Sequence, residues 1–185
     1  MELTQKYKSI GILFIALLLN SITQAQTVDR SIGITGGYVP DGYGVLISFE
    51  YYNNATDFIQ LSSLITNNED RVNNIYKIPY NIATLNLGYY KNILQSRNNS
   101  LKLSVGLGGV GGYEYINNDK EKLEDGSLLK SKSGLIYGVY GGFDIELYLN
   151  NNLSLIGVLN QYYHINSELG NFTMFAGGGL RYFLN

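Results

Sequence analysis

Apolar and polar side chains alternate along this chain over unusually long stretches. In residues 135–149 every odd-numbered position is apolar, aromatic or glycine, whereas Asp144 and Glu146 occupy even positions. A period of two places the two sets on opposite faces of an extended strand. A second alternating stretch, 101–115, covers 15 residues, whereas an ordinary soluble strand has about five or six. The alternation therefore predicts an all-β protein with long, two-faced strands.

Composition excludes several other classes of protein. The chain has 185 residues with 22 Gly, 17 Tyr, no Trp and no Cys, and only 15% of its residues are charged. This mixture favours glycine-rich, twisted strands with aromatic girdles over a helical bundle. The formal net charge of -2 provides no basic surface for nucleic acid. Without cysteine the chain forms no disulfide, no thiolate metal site and no lipidated N-terminal cysteine.

The N-terminal segment has the pattern of an export signal. Lys6 and Lys8 precede an uncharged apolar run, 10–19, and Ala25 provides a small residue at the expected cleavage point. A run of about ten residues is too short to span a bilayer as a helix. We therefore expect a cleavable signal peptide at residues 1–25, followed by one domain at 26–185.

Alternation and turn residues together predict about eight strands, the smallest number in bacterial outer-membrane barrels. The predicted bounds are 31–38, 43–52, 57–65, 80–90, 101–115, 134–149, 153–165 and 172–184. Alternation alone fits two folds. In a soluble sandwich the apolar face packs on a second sheet, whereas in an outer-membrane barrel it faces lipid.

The lengths of the connections distinguish these folds. Connections 53–56 and 150–152 are short and polar, whereas 66–79 and 116–133 are long, charged and rich in Asn. Short and long loops then fall on opposite ends, as in an up-and-down barrel that spans a membrane. Two further connections fit less well, the short 39–42 and the longer 91–100. The predicted fold is a single up-and-down antiparallel β-barrel of outer-membrane type.

The last predicted strand is expected to close this barrel. An unpaired sheet edge in hydrocarbon leaves backbone groups unsatisfied at a cost of several kcal/mol each, so the last strand must pair with the first. Residues 179–184 alternate as such a strand requires. They are also similar to the C-terminal assembly signal of outer-membrane proteins, in which a glycine precedes alternating hydrophobic or aromatic residues. The expected barrel-closing residues are Gly179, Leu180, Tyr182 and Leu184.

Six charged residues fall on the less apolar faces of their strands. They are Glu50, Lys102, Glu114, Asp144, Glu146 and Arg181. They could line a polar pore or form a paired-carboxylate site. The interior of an eight-stranded barrel is only just wide enough for side chains, so we interpret them instead as a structural network of lumen salt bridges. A conducting channel is not expected.

No constellation in the sequence indicates catalysis, a cofactor, a metal or a small-molecule ligand. His164 is the only histidine, and we interpret it as a loop-proximal residue with Glu168 as its possible partner. The glycines of 106–112 are followed by neither Lys-Ser/Thr nor a helix, so they indicate strand packing rather than phosphate binding. Tyrosines at strand ends are candidates for an interfacial girdle or for the core: Tyr51, Tyr52, Tyr89, Tyr90, Tyr113, Tyr115, Tyr162 and Tyr163.

The second half of the chain resembles a known family. The segments are VGGYEYIN (110–117), LEDGSLL (123–129), LIYGVYGGFDIELYLNNNLSLIG (135–157) and AGGGLRYFLN (176–185). In this order they are similar to the conjugal transfer protein TraO family of Bacteroides-type conjugative transposons. The resemblance implies an outer-membrane component of a DNA-transfer apparatus and carries over no catalytic residue.

The leading hypothesis is a non-enzymatic outer-membrane barrel with a structural or interaction role in conjugation. Its expected partners are outer-membrane lipid and other envelope proteins of the transfer apparatus, which it would contact through loops around 67–76 and 117–132. The main alternative is a stand-alone outer-membrane protein of adhesion or stress type. A lipid-modifying barrel enzyme and a soluble periplasmic barrel that binds a small ligand are further possibilities.

Overall fold

The chain folds into one closed barrel of eight antiparallel strands. The computed structural model describes residues 30–53, 56–72, 76–97, 100–116, 133–168 and 170–184, so the predicted signal peptide lies outside the described residues. The strands are β1 (Arg30–Val39), β2 (Gly42–Tyr52), β3 (Phe58–Val72), β4 (Tyr76–Gln95), β5 (Leu101–Ile116), β6 (Gly134–Tyr148), β7 (Leu153–Ile165) and β8 (Phe172–Leu184). Each strand pairs with the next, and β8 returns to β1. The predicted up-and-down barrel of eight strands is confirmed.

Pairing of β8 with β1 closes the sheet over nine residue pairs, from Arg30 opposite Leu184 to Tyr38 opposite Ala176. The backbones approach so closely there that a Cβ atom on Gly179 would collide with the carbonyl group of Ile34. Leu180 and Tyr182 point outward from the same strand and are exposed. No helix in the described ranges is long and apolar enough to cross a bilayer.

Polarity is inverted relative to a soluble protein. Large apolar side chains such as Leu107, Leu135 and Val139 are exposed on the outer face. Polar side chains such as Gln60, Asn86 and Asn160 are buried in the lumen. This distribution matches an outer-membrane barrel, in which lipid covers the apolar outer face and the lumen is polar.

The candidate girdle tyrosines divide between the two faces. Tyr51, Tyr89, Tyr115 and Tyr163 are exposed on the outer face, whereas Tyr52, Tyr90 and Tyr162 are buried in the lumen and Tyr113 is half-buried. Adjacent residues of a strand point to opposite faces, so two neighbouring tyrosines cannot belong to the same girdle.

Two predicted connections are largely strand. The sequence predicts a loop at 66–79, but β3 continues to Val72 and β4 begins at Tyr76, with the two strands still in register. In the stretch 91–100, β4 continues to Gln95 through a register shift between Asn92 and Leu94. Charged and amide residues interrupt the apolar alternation in both segments, so periodicity alone does not predict strand there.

Glycines facing the lumen provide space for large side chains from other strands. A Cβ atom on Gly106 would lie 2.5 Å from Cδ1 of Tyr90, and one on Gly108 would lie 2.5 Å from Cε1 of Tyr140. Gly111 lies on the outer face of the same strand, and a Cβ atom there would meet nothing within 4 Å. Glycine is therefore required for packing only on the inner face of β5.

Gly106→Ala should destabilise the barrel by about 1–3 kcal/mol, because the added methyl group overpacks the Tyr90 ring. Gly111→Ala on the same strand should leave stability unchanged or raise it by up to about 1 kcal/mol. Urea unfolding of the detergent-refolded barrel would measure both effects. Equal destabilisation by the two substitutions would contradict the assignment of the inner and outer faces.

Candidate functional site

The centre of the lumen network is the guanidinium group of Arg181, which is fully buried. Its Nη1 and Nη2 atoms donate to Oδ1 and Oδ2 of Asp144 at 3.1 and 2.7 Å. Nη2 also donates to Oε1 of Glu50 at 3.3 Å, and Nη1 lies 3.4 Å from Oε1 of Glu146. One cation on β8 thus holds three carboxylates from β2 and β6.

Neighbouring side chains fix the positions of these charges. The hydroxyl of Ser31 donates to Oε2 of Glu50 at 2.6 Å, and the amide of Gln60 donates to Oε1 at 3.2 Å. The ring of Phe58 lies beneath the guanidinium, with Cζ of Arg181 5.3 Å from the ring centroid. Charge-assisted hydrogen bonds and a cation–π contact together limit the rotamers that Arg181 can adopt.

An aromatic layer lies in the lumen at the short-turn end of the barrel, where β2, β4 and β6 end. Phe183 contacts Tyr52 and Tyr148, with ring centroids 5.8 and 5.5 Å apart. Tyr52 in turn lies 5.2 Å from Phe58. Lys102 is opposite Glu146 in register and donates from Nζ to the hydroxyl of Tyr148 at 2.8 Å. A second cation therefore lies beside the network at this end.

A loop covers the lumen at the opposite end. The connection between β7 and β8 folds inward, and Glu114 of β5 holds it in place. The hydroxyl of Ser167 and the backbone N–H of Glu168 donate to the two carboxylate oxygens of Glu114, each at 3.1 Å. Glu114 therefore anchors a lid and is separate from the Arg181 network.

The six charged residues predicted to line the lumen thus lie at different levels along the barrel axis. Glu50, Asp144, Glu146 and Arg181 are in direct contact, Lys102 lies next to them at the short-turn end, and Glu114 lies at the lid. Ser31 and Gln60, which donate hydrogen bonds to Glu50, were not among the predicted site residues. Their positions in the alternation could have indicated them, because both occur on the inward face of their strands.

His164 differs from its prediction. It is a strand residue buried in the lumen, and its ring stacks on Tyr162 with centroids 5.8 Å apart. Neither ring nitrogen has a hydrogen-bond partner among the described residues, so the predicted pairing with Glu168 is not formed; the backbone N–H of Glu168 donates to Glu114. Among the described residues, His164 therefore makes none of the hydrogen bonds that a nucleophile–base pair requires.

Arg181 and the carboxylates around it form a compact, buried ion network. In the described ranges no group of three or more His, Asp or Glu side chains could hold a metal ion, and the Arg181 guanidinium lies among the three carboxylates. Large side chains fill the lumen between the network and the lid: Tyr90, Tyr140, Tyr162 and Phe175 are buried. The Tyr90 hydroxyl donates to Oδ1 of Asn160 at 3.3 Å.

Solved outer-membrane barrels have the same fold. A major outer membrane protein from Thermus thermophilus matches with a TM-score of 0.63 and 12% identity, over 85% of this chain and 100% of that chain. The N-terminal β-barrel domain of Pseudomonas aeruginosa OprF matches with a TM-score of 0.53 and 15% identity, over 86% and 99%. Neisserial surface protein A gives a TM-score of 0.52 and 12% identity, over 84% and 94%.

At these identities the similarity shows the fold alone. No curated protein matches the chain. The protein family described as "Conjugative transposon protein TraO" matches residues 27–184, a range that includes all eight strands.

Arg181→Met should lower the free energy of unfolding by about 3–5 kcal/mol, because it leaves three buried carboxylates without their cation. Adding Asp144→Asn and Glu146→Gln should recover much of that loss, because the one remaining carboxylate keeps its Ser31 and Gln60 donors. Arg30→Met, at the half-exposed start of β1, is the control and should cost less than about 1 kcal/mol. Urea unfolding in micelles would give the free energy of unfolding of each variant. An Arg181→Met variant as stable as the wild-type protein would contradict the network.

Glu114→Gln should loosen the lid, because the amide retains only one of the two acceptor oxygens. Losing a charge-assisted bond worth about 1.5–3 kcal/mol should raise the open population at least about tenfold. A protease that cuts after Glu168 would report this population as a cleavage rate. Glu69→Gln at the other side of the rim is the matched control. Equal cleavage rates in the wild-type protein, Glu114→Gln and Glu69→Gln would mean that Glu114 does not hold the loop.

Proposed function

Because this chain belongs to the family of conjugative transposon protein TraO, we propose that it is a non-enzymatic outer-membrane component of a conjugative DNA-transfer apparatus. Its role is structural, or is to bind other envelope proteins of that apparatus. The observation that carries the proposal is a family match over the whole barrel, joined to a lumen that is filled rather than open.

The outer surface supports a location in the outer membrane. A soluble barrel would leave exposed residues such as Leu107, Leu135 and Phe172 in water, which is unfavourable at about 25 cal/mol per Å² of apolar surface. Lipid removes that cost, and outward tyrosines near both ends of the strands suit the two membrane interfaces. Export through a signal peptide at residues 1–25 completes this proposal.

The filled lumen supports a role without transport or catalysis. The aromatic layer lies at one end, the β7–β8 loop bonds to Glu114 at the other, and the Arg181 network and the buried rings of Tyr90, Tyr140 and Tyr162 occupy the interior between them. A path for DNA or protein is far wider than an eight-stranded barrel that side chains fill. The protein therefore acts on transfer through its surface.

The strongest candidate for a contact surface is the β3–β4 hairpin. Gly42, the first residue of β2, pairs with Asn68, and Ile116, the last residue of β5, pairs with Tyr80. Residues 69–72 and 76–79 pair with each other beyond these points, so the hairpin projects past the rim. The predicted contact region 117–132 lies outside the described residues, and we propose it as a second contact region.

The turn between β1 and β2 supports the base of the projection. The carbonyl of Pro40 accepts hydrogen bonds from the amide of Asn68 at 2.9 Å and from the hydroxyl of Tyr80 at 3.4 Å. The N–H of Glu69 donates to the carbonyl of Asp41 at 3.1 Å. These bonds hold the hairpin in a defined orientation, which lowers the entropy cost of binding a partner.

Replacing residues 69–79 by Asn-Gly should reduce the transfer frequency at least about tenfold, equivalent to about 1.4 kcal/mol if one binding step limits transfer. Insertion of the same dipeptide after Asn151, at the opposite end, is the matched control and should leave transfer unchanged. Mating assays in a strain that lacks the native gene would measure both variants.

Folding of each variant is checked separately by heat-modifiability of the band on a gel. Normal transfer without the gene would exclude the conjugative role and favour a stand-alone outer-membrane protein. A soluble protein without a heat shift would exclude the membrane location. His164→Phe should transfer normally, and loss of transfer with a folded barrel would favour an enzyme.

A further inference from the structure

A notch interrupts the rim at the lid end of the barrel, above the short hairpin that β1 and β2 form. β1 ends at Val39 and β2 begins at Gly42, whereas the strands on either side of them continue. β8 begins at Phe172, but its pairing with β1 reaches only Ala176. On the other side, β3 continues to Val72, beyond its last pair with β2. The edges of β8 and β3 therefore face each other across this notch.

Main-chain groups of β8 point into the notch. The N–H of His164 on β7 donates to the carbonyl of Asn171 at 2.7 Å, so the main chain of Asn171 faces β7. Successive residues of an extended chain direct their N–H and C=O groups to opposite sides. The main chains of Phe172 and Met174 therefore face away from β7, at a level where β1 has already ended.

The turn between β1 and β2 cannot continue the pairing with β8. Extending the β1–β8 register places Pro40 opposite Met174, and proline has no N–H to donate. The carbonyl of Pro40 accepts hydrogen bonds from the side chains of Asn68 and Tyr80, so the turn is held towards β3 and β4. Pairing along this edge of β8 therefore stops below the notch.

The edge of β3 presents main-chain groups in the same way. The N–H of Glu69 donates to the carbonyl of Asp41 at 3.1 Å, so the main chain of Glu69 faces the β2 side. By the same alternation the main chain of Arg71 faces that side, further from the membrane. Of the eight strands that the structure describes, none pairs with β3 at this level on the β2 side.

Other parts of the chain at this end are directed away from the notch. The lid crosses the lumen to Glu114 on β5, through the hydroxyl of Ser167 and the N–H of Glu168. Segment 117–132 joins β5 to β6, and these strands lie four positions around the barrel from β1 and β2. The occupant of the notch is therefore sought in a different molecule.

The notch begins at the membrane interface rather than within hydrocarbon. Phe172 pairs with Tyr163, one of the outward tyrosines that suit an interface. An unpaired sheet edge in hydrocarbon would be very costly, but above the interface water satisfies its main-chain groups until a partner binds.

The width of the notch selects a hairpin as the occupant. β8 and β3 are three strand spacings apart, about 14 Å, so two strands fit between them. Antiparallel pairing with both walls requires one strand to run down along β3 and the other to run up along β8, with the turn at the floor. The β3–β4 hairpin of a second copy in the same membrane points the opposite way, so the occupant comes from beyond the rim.

We propose that the notch binds a β-hairpin of another envelope protein, which completes the sheet between β8 and β3. This inference rests on the proposed function and specifies the binding mode, in which main-chain hydrogen bonds add strands to an exposed edge. Phe172 is exposed beside the notch, and its ring packs on Tyr163 with centroids 5.1 Å apart. The partner strand should therefore carry an apolar or aromatic residue opposite Phe172.

Met174→Pro tests the pairing, because it removes an N–H that faces the notch and that the pairing of β8 with β7 does not use. Met174→Ala is the matched control, since it shortens the same side chain and retains the N–H. Transfer frequency is measured in a strain that lacks the native gene, and heat-modifiability on a gel is recorded for each variant. Hydrogen exchange of the Phe172 and Met174 amides is measured in outer membranes that contain the complete transfer apparatus or this protein alone.

Met174→Pro should lower the transfer frequency about tenfold and Met174→Ala should leave it unchanged, with both barrels heat-shifted. The two amides should exchange at least about tenfold more slowly in the presence of the complete apparatus. Equal transfer by the two variants, or loss of the heat shift in Met174→Pro alone, would overturn the inference.

Slow exchange of these amides in membranes with this protein alone would also overturn it, because the chain itself or a second copy would then cover the edge. In each of these cases a transfer defect on deletion of the gene would leave the proposed function intact. Normal transfer without the gene would overturn both the proposed function and the hairpin site.

Discussion

Closure of the backbone hydrogen-bond ladder between β8 and β1 is the constraint on which the rest of the structure depends. A sheet whose outer face is apolar can occupy a bilayer only if no edge remains unpaired. Closing eight strands produces a narrow interior, and that interior must then hold every polar side chain that the outer face excludes. Three features follow from this closure: the inverted polarity, the lumen-facing glycines that leave space for Tyr90 and Tyr140, and the buried ion network.

The narrow lumen determines what its charges can do. Asp144 and Glu50 share one guanidinium, and both contact Arg181 directly, at 2.7 and 3.3 Å. Ion pairs of this kind are costly to desolvate and are favourable only with well-formed hydrogen bonds. The donors from Ser31 and Gln60 supply such bonds. Charged residues inside a barrel are therefore compatible with a purely structural role.

Sequence alternation predicted the barrel well, because each strand must satisfy the same two-sided requirement. The last four strands differ from the predicted bounds by at most one residue at either end, and β7 and β8 do not differ at all. The prediction was wrong at 66–79, where β3 and β4 continue through residues that interrupt the apolar alternation. Alternation also identified which face Glu114 and Arg181 occupy but not their heights, because height depends on the stagger between strands. His164 lies at an inward position of β7, so its burial could have been predicted.

The position of Arg181 in the chain has a consequence for assembly. Glu50 lies on β2 and Asp144 on β6, whereas their cation lies on β8. Until β8 docks, a partly assembled barrel has acidic side chains facing inward with no guanidinium among them, a state that is penalised in a low-dielectric interior. Docking of β8 thus completes the sheet and brings the guanidinium to the carboxylates in one step. A barrel without β8 therefore differs from the complete barrel in the net charge of its lumen as well as in its unpaired edges.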